Sequence, residues 1–357
     1  MDINAYRQRI NELDEEIVRL LNERAECARA IGQVKEDTEL ATFAPAREAE
    51  VLDHILRVNQ GPIEQEAMGA IYHEIISACR ALERPTTISY WGPPASNTHV
   101  AARQRFGGQA RYVPAETISR VFSQVEQGHA DFGVVPVENS TEGVVTHTLD
   151  SFLETNLLIC AEVYVQIHHH LLSHASSLAD VQRVYTMPQA TAQCRSWLAH
   201  SLPHVELVEV TTTARAAEVA AHEAGAAAIA NKTAAEFYGL NILAERIEDN
   251  PRNRTRFLVL GHIQPPPTGK DKTSLLFAVR HEAGALYRAL SPFEKYDISM
   301  TMIESRPTKL TPWEYVFFID LQGHVETGAD SAMRRALAQF QQQCLYVKVL
   351  GSYPEAE

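Results

Sequence analysis

The sequence is short of several things, and each shortage removes a class of function. Its 357 residues include only five cysteines (Cys27, Cys79, Cys160, Cys194 and Cys344), widely scattered and without a CxxC pair. That spacing gives neither a disulfide framework nor a thiolate metal site; it reads as the reduced, packed thiols of a cytoplasmic protein. Basic residues are outnumbered, 32 Lys+Arg against 45 Asp+Glu, for a net charge of -13. That balance argues against nucleic acid, whose phosphates demand a basic footprint. No stretch is apolar enough to span a bilayer, so no membrane partner is expected. The opening MDINAYRQRI is polar and helical, unlike a secretory signal. The remainder is globular material, 45% hydrophobic, in a chain too long for one core, and two or three domains are expected. An acidic substrate fits such a chain only where basic residues gather locally.

Residues 1–85 read as all-helical. Ile3, Tyr6, Ile10, Leu13, Ile17, Leu20, Cys27, Ile31 and Val34 recur in steps of three and four, a heptad seam roughly 48 Å long. A seam of that length implies a partner helix, most simply from a second subunit. A second helix is expected from about Pro45 and a third from about Ile63 to Glu83, after a Gly61-Pro62 break. One seam slot is Arg24, and a buried guanidinium is costly without an anionic partner. Either Glu23 or Glu26 of a second subunit answers it, or Arg7, Arg24, Lys35 and Arg47 converge on a dianionic ligand, for which the arginine fork is suited.

From Ile88 short β-rich runs alternate with helices, and the order recurs from Arg183, which predicts two α/β lobes with a cleft between them. RTRFLVLG (254–261) is expected to return to the first lobe. Polar clusters fall at strand ends, where ligands of such sheets sit: ENST (138–141), TMPQATAQC (186–194) and NRTRF (253–257). Each alone reads as a helix cap or turn; three together on facing lobes read as a pocket. QIHHHLLSH (166–174) suggests a metal, but in a strand His168 and His170 face opposite to His169 and no third ligand follows by spacing. Packing and hinge hydrogen bonds are the expectation there, with no metal. After a proline-rich linker (264–271), residues 272–357 spell β-α-β-β-α-β, a ferredoxin-like sandwich.

The run YRQRINELDEEIVRLLNERAECARAIGQVK, with PAREAEVL and IYHEIISACRALE, resembles the all-helical chorismate mutase family, an intertwined dimer that rearranges chorismate to prephenate. The resemblance implies that Arg24 and Arg47 clamp the substrate carboxylates, that Arg7 reaches in from the other subunit and that Glu48 holds the ring hydroxyl. Lys35 would donate to the ether oxygen. Two positions depart from residues the family often has, Ala44 for aspartate and Cys79 for serine, and Glu83 stands where some relatives have glutamine, facing the ether oxygen. A carboxylate cannot donate a hydrogen bond, so Glu83 is expected to act protonated.

Residues 88–262 resemble the prephenate dehydratase family through GVVPVENSTEGVVTHTLD and the TRF at 255–257. The reaction removes the ring hydroxyl and a carboxylate together; aromatisation drives it, so no cofactor is implied. Thr255 would donate to the departing hydroxyl. Asn139, Ser140, Thr141, Thr186, Gln189, Gln193 and Phe257 would line the cleft, with Ser96 and Thr98 from the altered opening loop YWGPPASNTH. In that loop Pro94 and Ala95 lose glycine's freedom. Arg256 would bind a substrate carboxylate or pair with a nearby acid.

Gly284, Ala285 and Leu286 with Glu304, Ser305, Arg306 and Pro307 resemble the paired motifs of the ACT regulatory domain, implying phenylalanine as effector bound between two copies. Against this stands a plain helix cap at Gly284 and an edge-strand Glu304–Arg306 pair. The three matches in order resemble the bifunctional chorismate mutase–prephenate dehydratase family: a mutase domain (1–85), a dehydratase domain (86–263) and an ACT domain (272–357). They imply a cytoplasmic homodimer or higher oligomer acting on chorismate and prephenate. A mutase with inert central lobes, or a purely regulatory amino-acid sensor, are the other readings.

Overall fold

A computed structural model describes residues 2–37, 43–307, 315–326, 328 and 331–356. The chain divides into two compact units, residues 1–87 with 106–111, and residues 88–105 with 112–357.

The first unit is helical. Helices α1 (Ile3–Asp37), α2 (Pro45–Val58) and α3 (Gln65–Glu83) carry it. Pro45 opens α2 because its missing N–H is one that a helix start leaves unbonded anyway. Helix α1 packs on α3 at Gly32, where a Cβ would lie 3.0 Å from Glu83 Cα. The rest of its apolar seam is uncovered within one chain: Ile3, Tyr6, Ile10, Leu13, Ile17 and Leu20 are all exposed. Residues 106–111 close the other side of α3. Ser77 Oγ donates to Phe106 O (2.9 Å), and the Arg80 guanidinium lies over the Phe43 and Phe106 rings.

The second unit holds three sheets. Its first lobe comprises β1 (Thr87–Trp91), α4 (Asn97–Phe106), β2 (Arg111–Ala115), α5 (Ile118–Glu126), β3 (Phe132–Asn139), β4 (Gly143–Val144), α6 (Thr146–Phe152) and β5 (Leu158–Gln166). The second comprises β6 (His170–Ser173), β7 (Arg183–Thr186), α7 (Pro188–Gln193), α8 (Arg195–Ser201), β8 (Glu206–Glu209), α9 (Thr213–Ala220), β9 (Ala226–Ala230), α10 (Lys232–Tyr238) and β10 (Asn241–Ala244). Strand β11 (Arg254–Gly261) then returns to the first lobe, antiparallel to both β3 and β5, in the order β2-β1-β3-β11-β5. The second sheet runs β10-β6-β9-β7-β8. Two crossovers thus join the lobes, and they bond each other: Ile167 N to Asn253 O (2.8 Å) and Ile247 N to His169 O (2.8 Å).

The third sheet, β13-β14-β12-β15, is antiparallel. It is built from β12 (Asp271–Ala278), α11 (Ala285–Lys295), β13 (Met300–Pro307), β14 (Tyr315–Gln322), α12 (Ala332–Gln343) and β15 (Tyr346–Pro354). This region is not the separate body that the linker suggested. Leu276, Phe318, Leu350 and Tyr353 share one core with Val137, Leu149, Phe152 and Leu258 of the first lobe. At Gly351 (φ +153) a Cβ would sit 2.3 Å from Ile159 O, so only glycine lets β15 approach β5 this closely. The linker itself is tied down, since Asp271 accepts from Thr268 N, Gly269 N and Thr268 Oγ1 (2.8–2.9 Å).

Burial holds His99, His169 and His170 below the ordinary histidine range. The unfolded chain takes up protons at these sites near pH 6.5 while the folded chain does not, so stability is full above that value and is lost as pH falls through it. Thermal melts are expected to show a falling transition temperature for the second unit between about pH 7.5 and about pH 5.5. A flat transition temperature over that range would contradict buried neutral histidines.

Candidate active sites

In the helical unit the close approach at Gly32 brings two predicted residues into contact. Lys35 Nζ lies 2.8 Å from Glu83 Oε2, both side chains largely shielded. One turn earlier on α3, Cys79 Sγ takes Arg24 Nη1 at 2.8 Å. A thiol is a weak acceptor for a guanidinium, and no carboxylate meets Arg24 among the described residues. Within the chain Glu23 and Glu26 are engaged elsewhere, by Arg19 (3.2 Å) and Arg29 (2.5 Å). Arg24 with Cys79 and Lys35 with Glu83 therefore form two polar pairs between the facing helices α1 and α3.

Three other predicted mutase residues are placed differently. Arg7 is exposed on α1. Arg47 turns its guanidinium to Glu50 Oε2 (2.8 Å) on the exposed side of α2, not inward beside Arg24. The half-buried Glu48 carboxylate is bonded by Arg80, which sequence reading passed over and which also donates to Phe106 O (2.6 Å). The signal for Arg80 was slight, a single arginine among the polar and apolar residues of the third helix.

The cleft of the second unit is organised at the crossovers between its lobes. Asn139 ends β3 opposite Thr255 on β11. Its Nδ2 donates to Thr255 Oγ1 (2.8 Å) and to Asn253 Oδ1 (2.9 Å), while its Oδ1 receives the N–H groups of Thr141 (2.9 Å) and Glu142 (3.1 Å). Asn253 Nδ2 donates to Gln193 Oε1 (3.1 Å), which also meets His169 Nε2 (2.8 Å). Since that oxygen only accepts, His169 carries its proton on Nε2. Gln193 Nε2 reaches Glu142 Oε1 (3.2 Å), joining a loop of one lobe to a helix of the other. The chain of amides fixes a polarity: Thr255 Oγ1 is an acceptor toward Asn139, and no described residue accepts its proton.

Sequence reading named Asn139, Gln193 and Thr255 here and missed Asn253, His169 and Glu142. Asn253 lay inside the quoted NRTRF cluster, and His169 was read as packing; neither carried a sign of the amide it meets. Ser140 clips β11, accepting from Arg254 N (3.0 Å), and Thr141 is exposed on the same turn. Ser96 on the opening loop, Thr98 in α4, Thr186 at the end of β7 and Gln189 in α7 make no direct bond to this group. Ser96 Oγ accepts from His99 N (3.3 Å), Thr98 is buried, Thr186 Oγ1 receives Thr191 Oγ1 (3.2 Å), and Gln189 is half-buried. In the opening loop Ala95 keeps the left-handed backbone that glycine would supply (φ +63), its N–H held by His99 Nδ1 (3.0 Å). Asn97 Oδ1 takes Asn231 Nδ2 across the lobes (2.8 Å).

Two cleft assignments are corrected. Arg256 cannot reach a substrate carboxylate in this arrangement: it follows Thr255 on a strand, so it leaves the opposite face and is buried between Glu162 (2.7 Å) and Asp320 (2.5 Å). Of the two alternatives, pairing with nearby acids is what occurs. Phe257 is buried in the sheet and lines no open surface. Among the described residues, no group of three His, Cys, Asp or Glu side chains is placed to hold a metal. His168 Nδ1 instead bonds Glu248 Oε1 (2.7 Å), whose other oxygen takes His169 N (2.9 Å).

In the third sheet Gly284 takes φ +76 just ahead of α11, Ala285 is buried and Leu286 is half-buried. Glu304, Ser305, Arg306 and Pro307 lie on the edge strand β13. The alternative of an edge-strand Glu304–Arg306 pair is not seen among the described residues; Arg306 bonds Asp150 of α6 through Nη2 (3.1 and 3.3 Å) and Nε (3.3 Å).

A helical unit with inward cations and a two-lobed hydrogen-bonding cleft define a two-site enzyme. Residues 6–84 match the family model for chorismate mutase type II, and residues 88–265 that for prephenate dehydratase. The bifunctional chorismate mutase/prephenate dehydratase of Aquifex aeolicus (strain VF5) is 48% identical over 99% of this chain and 98% of its own. That of Stutzerimonas stutzeri is 45% identical, again over 99% and 98%. The crystal structure of prephenate dehydratase in complex with L-Phe from Arthrobacter aurescens is 35% identical, covers 76% of this chain and 90% of that one, and superposes with a TM-score of 0.70. The chain belongs to the family of bifunctional chorismate mutase/prephenate dehydratases, enzymes of phenylalanine biosynthesis.

Proposed function

We propose that the two activities are divided between the units as the geometry suggests. In the helical unit chorismate binds among Arg24, Lys35, Cys79 and Glu83, with Arg47 swinging inward and Arg7 supplied by a second subunit that also covers the exposed α1 seam. Lys35 and a protonated Glu83 donate to the ether oxygen, and Glu48 leaves Arg80 to take the ring hydroxyl. No nucleophile is required: holding the reactive conformer and stabilising the charge that develops on oxygen account for the rate.

In the cleft, prephenate loses its carboxylate as carbon dioxide while the bond to the ring hydroxyl breaks. The electron pair left by the carboxylate enters the ring, and the hydroxyl leaves with the electrons of its own bond, hydrogen-bonded by Thr255, and takes a proton from solvent to become water. The observation that carries this reading is the hydrogen-bond polarity at Thr255: Asn139 occupies an acceptor site of its oxygen, so the O–H is directed at the substrate. Serving as hydrogen-bond donor fits a hydroxyl of such high pKa better than outright proton release. The amides and hydroxyls of Asn139, Ser140, Thr141 and Gln193 shape the floor.

The C-terminal sheet is read as an ACT domain that binds phenylalanine and lowers dehydratase activity. Its two motifs are separated in one copy, at the start of α11 after β12 and on β13, with β14 lying between those strands. This supports a site completed by a second copy. A cytoplasmic dimer or higher oligomer follows, and no described helix is long and apolar enough to cross a membrane.

The test is to give the purified protein chorismate and follow both products. Phenylpyruvate should appear after a transient of prephenate, and phenylalanine should slow the second step. Prephenate accumulating alone would make the central lobes a binding module; no turnover would leave only an amino-acid sensor.

A further inference from the structure

We infer that the C-terminal sheet is a working part of the dehydratase, because a buried four-charge cluster at its junction with β11 positions Thr255 through Arg256. The inference rests on the proposed role of Thr255. The two residues are consecutive on β11 and leave opposite faces, Thr255 toward Asn139 and Arg256 toward the third sheet. Arg256 Nε donates to Glu162 Oε2 on β5 (2.7 Å), Nη1 to Asp320 Oδ2 on β14 (2.5 Å) and Nη2 to Tyr353 Oη on β15 (2.9 Å). Lys272 of β12 balances the set through Glu162 Oε1 (2.8 Å). Ser274 Oγ ties Asp320 Oδ1 (2.5 Å) to Tyr353 Oη (2.7 Å). All four charged side chains are at most 5% exposed.

Such a cluster is a weak source of stability, since desolvation of the charges offsets most of their attraction; its attested use is to fix register. Register is what this point of the sheet needs. The β3–β11 pairing shifts between Arg256 and Phe257, and the residue facing Phe257 is Pro136, which has no N–H to donate. The interruption is on the β3 side, one residue beyond Arg256, while β5 pairs with β11 without a break through this point, so on the β3 side it is Arg256 that fixes the backbone next to Thr255 from behind. Asp320, Lys272, Ser274 and Tyr353, most of what holds Arg256, come from the third sheet. Arg256 is a positioning residue: it touches no reacting atom.

The test uses the full chain, with chorismate turnover as the internal control for the helical unit. Asp320→Asn should lower kcat for prephenate about ten- to a hundredfold with KM within about twofold, the pattern of a misplaced reacting group. The double variant R256M/D320N removes one charge of each sign and leaves Glu162 paired with Lys272. Its melting temperature should return toward that of the parent while kcat stays low. A parent-like kcat in D320N, or a kcat that recovers together with melting in the double variant, would show a merely structural cluster and overturn the inference. Should D320N fail to fold, the charge-balanced double variant decides alone. A Thr255→Ala protein that retains dehydratase activity would overturn the reading of Thr255 instead, whatever D320N does.

Discussion

Thr255→Ala should lower phenylpyruvate formation by about 10² to 10³-fold, the cost of removing one positioned hydrogen-bond donor from a developing oxyanion, while chorismate is consumed at the parent rate. The size follows from what the hydroxyl does. The bond to the ring hydroxyl breaks with negative charge growing on oxygen, and a donor aimed at that oxygen acts in the transition state more than in the bound substrate. The fall should therefore be in kcat, with little change in KM. Thr255→Ser restores the O–H but not the methyl that limits its rotation, so it should recover most of the rate. Asn139→Ala is the complementary case: the hydroxyl stays but loses the partner that sets its direction (2.8 Å). If alanine at 255 costs less than about tenfold, the donor assignment is wrong, because a positioned donor contributes more than that. Loss of chorismate turnover in the same protein would point to misfolding.

Periodicity made the helical unit legible, since a long 3.6-residue pattern has one structural answer, and α1 to α3 begin and end close to where caps, Pro45 and the Gly61-Pro62 break place them. The two lobes were legible from the repeated strand and helix order. The partner of each polar residue was not. Glu48 and Arg80 are 32 positions apart and Arg256 and Asp320 are 64 apart, and nothing local in a sequence ties such pairs together. Arg256 shows the limit most clearly. Its place beside Thr255 suggested a substrate contact, but one residue along a strand is the opposite face, and what lies behind that face depends on how a later sheet packs. The anchoring of the linker was hidden for the same reason: QPPPTGK is largely exposed, and nothing local shows that Asp271 gathers its last turn.

The other large effect is expected in the helical unit, where Arg24→Ala should lower chorismate turnover by about 10² to 10⁴-fold. A hydrogen bond to a charged group contributes about 1.5–3 kcal/mol, and a fork holding a carboxylate loses two; each 1.4 kcal/mol is a factor of ten. The expectation is sharpened by what Arg24 lacks. Glu23 and Glu26 are engaged by Arg19 and Arg29, so among the described residues its half-buried guanidinium meets the Cys79 thiol and no carboxylate, and on the proposed reading it gains a proper partner when chorismate binds. Removing Arg24 should leave melting of the unit little changed, in contrast to removing one member of a closed ion pair. Glu83 supplies the second half of the test. In the free protein its carboxyl faces Lys35 (2.8 Å), but both groups must donate once the ether oxygen lies between them, and only the protonated acid can. Binding then requires a proton, so kcat/KM for chorismate should fall as pH rises, and Glu83→Gln, a donor at every pH, should flatten that fall. An Arg24→Ala protein with parent-like turnover would remove the substrate from this site altogether. A pH profile that Glu83→Gln leaves unmoved would keep the substrate there and take only the protonated acid away.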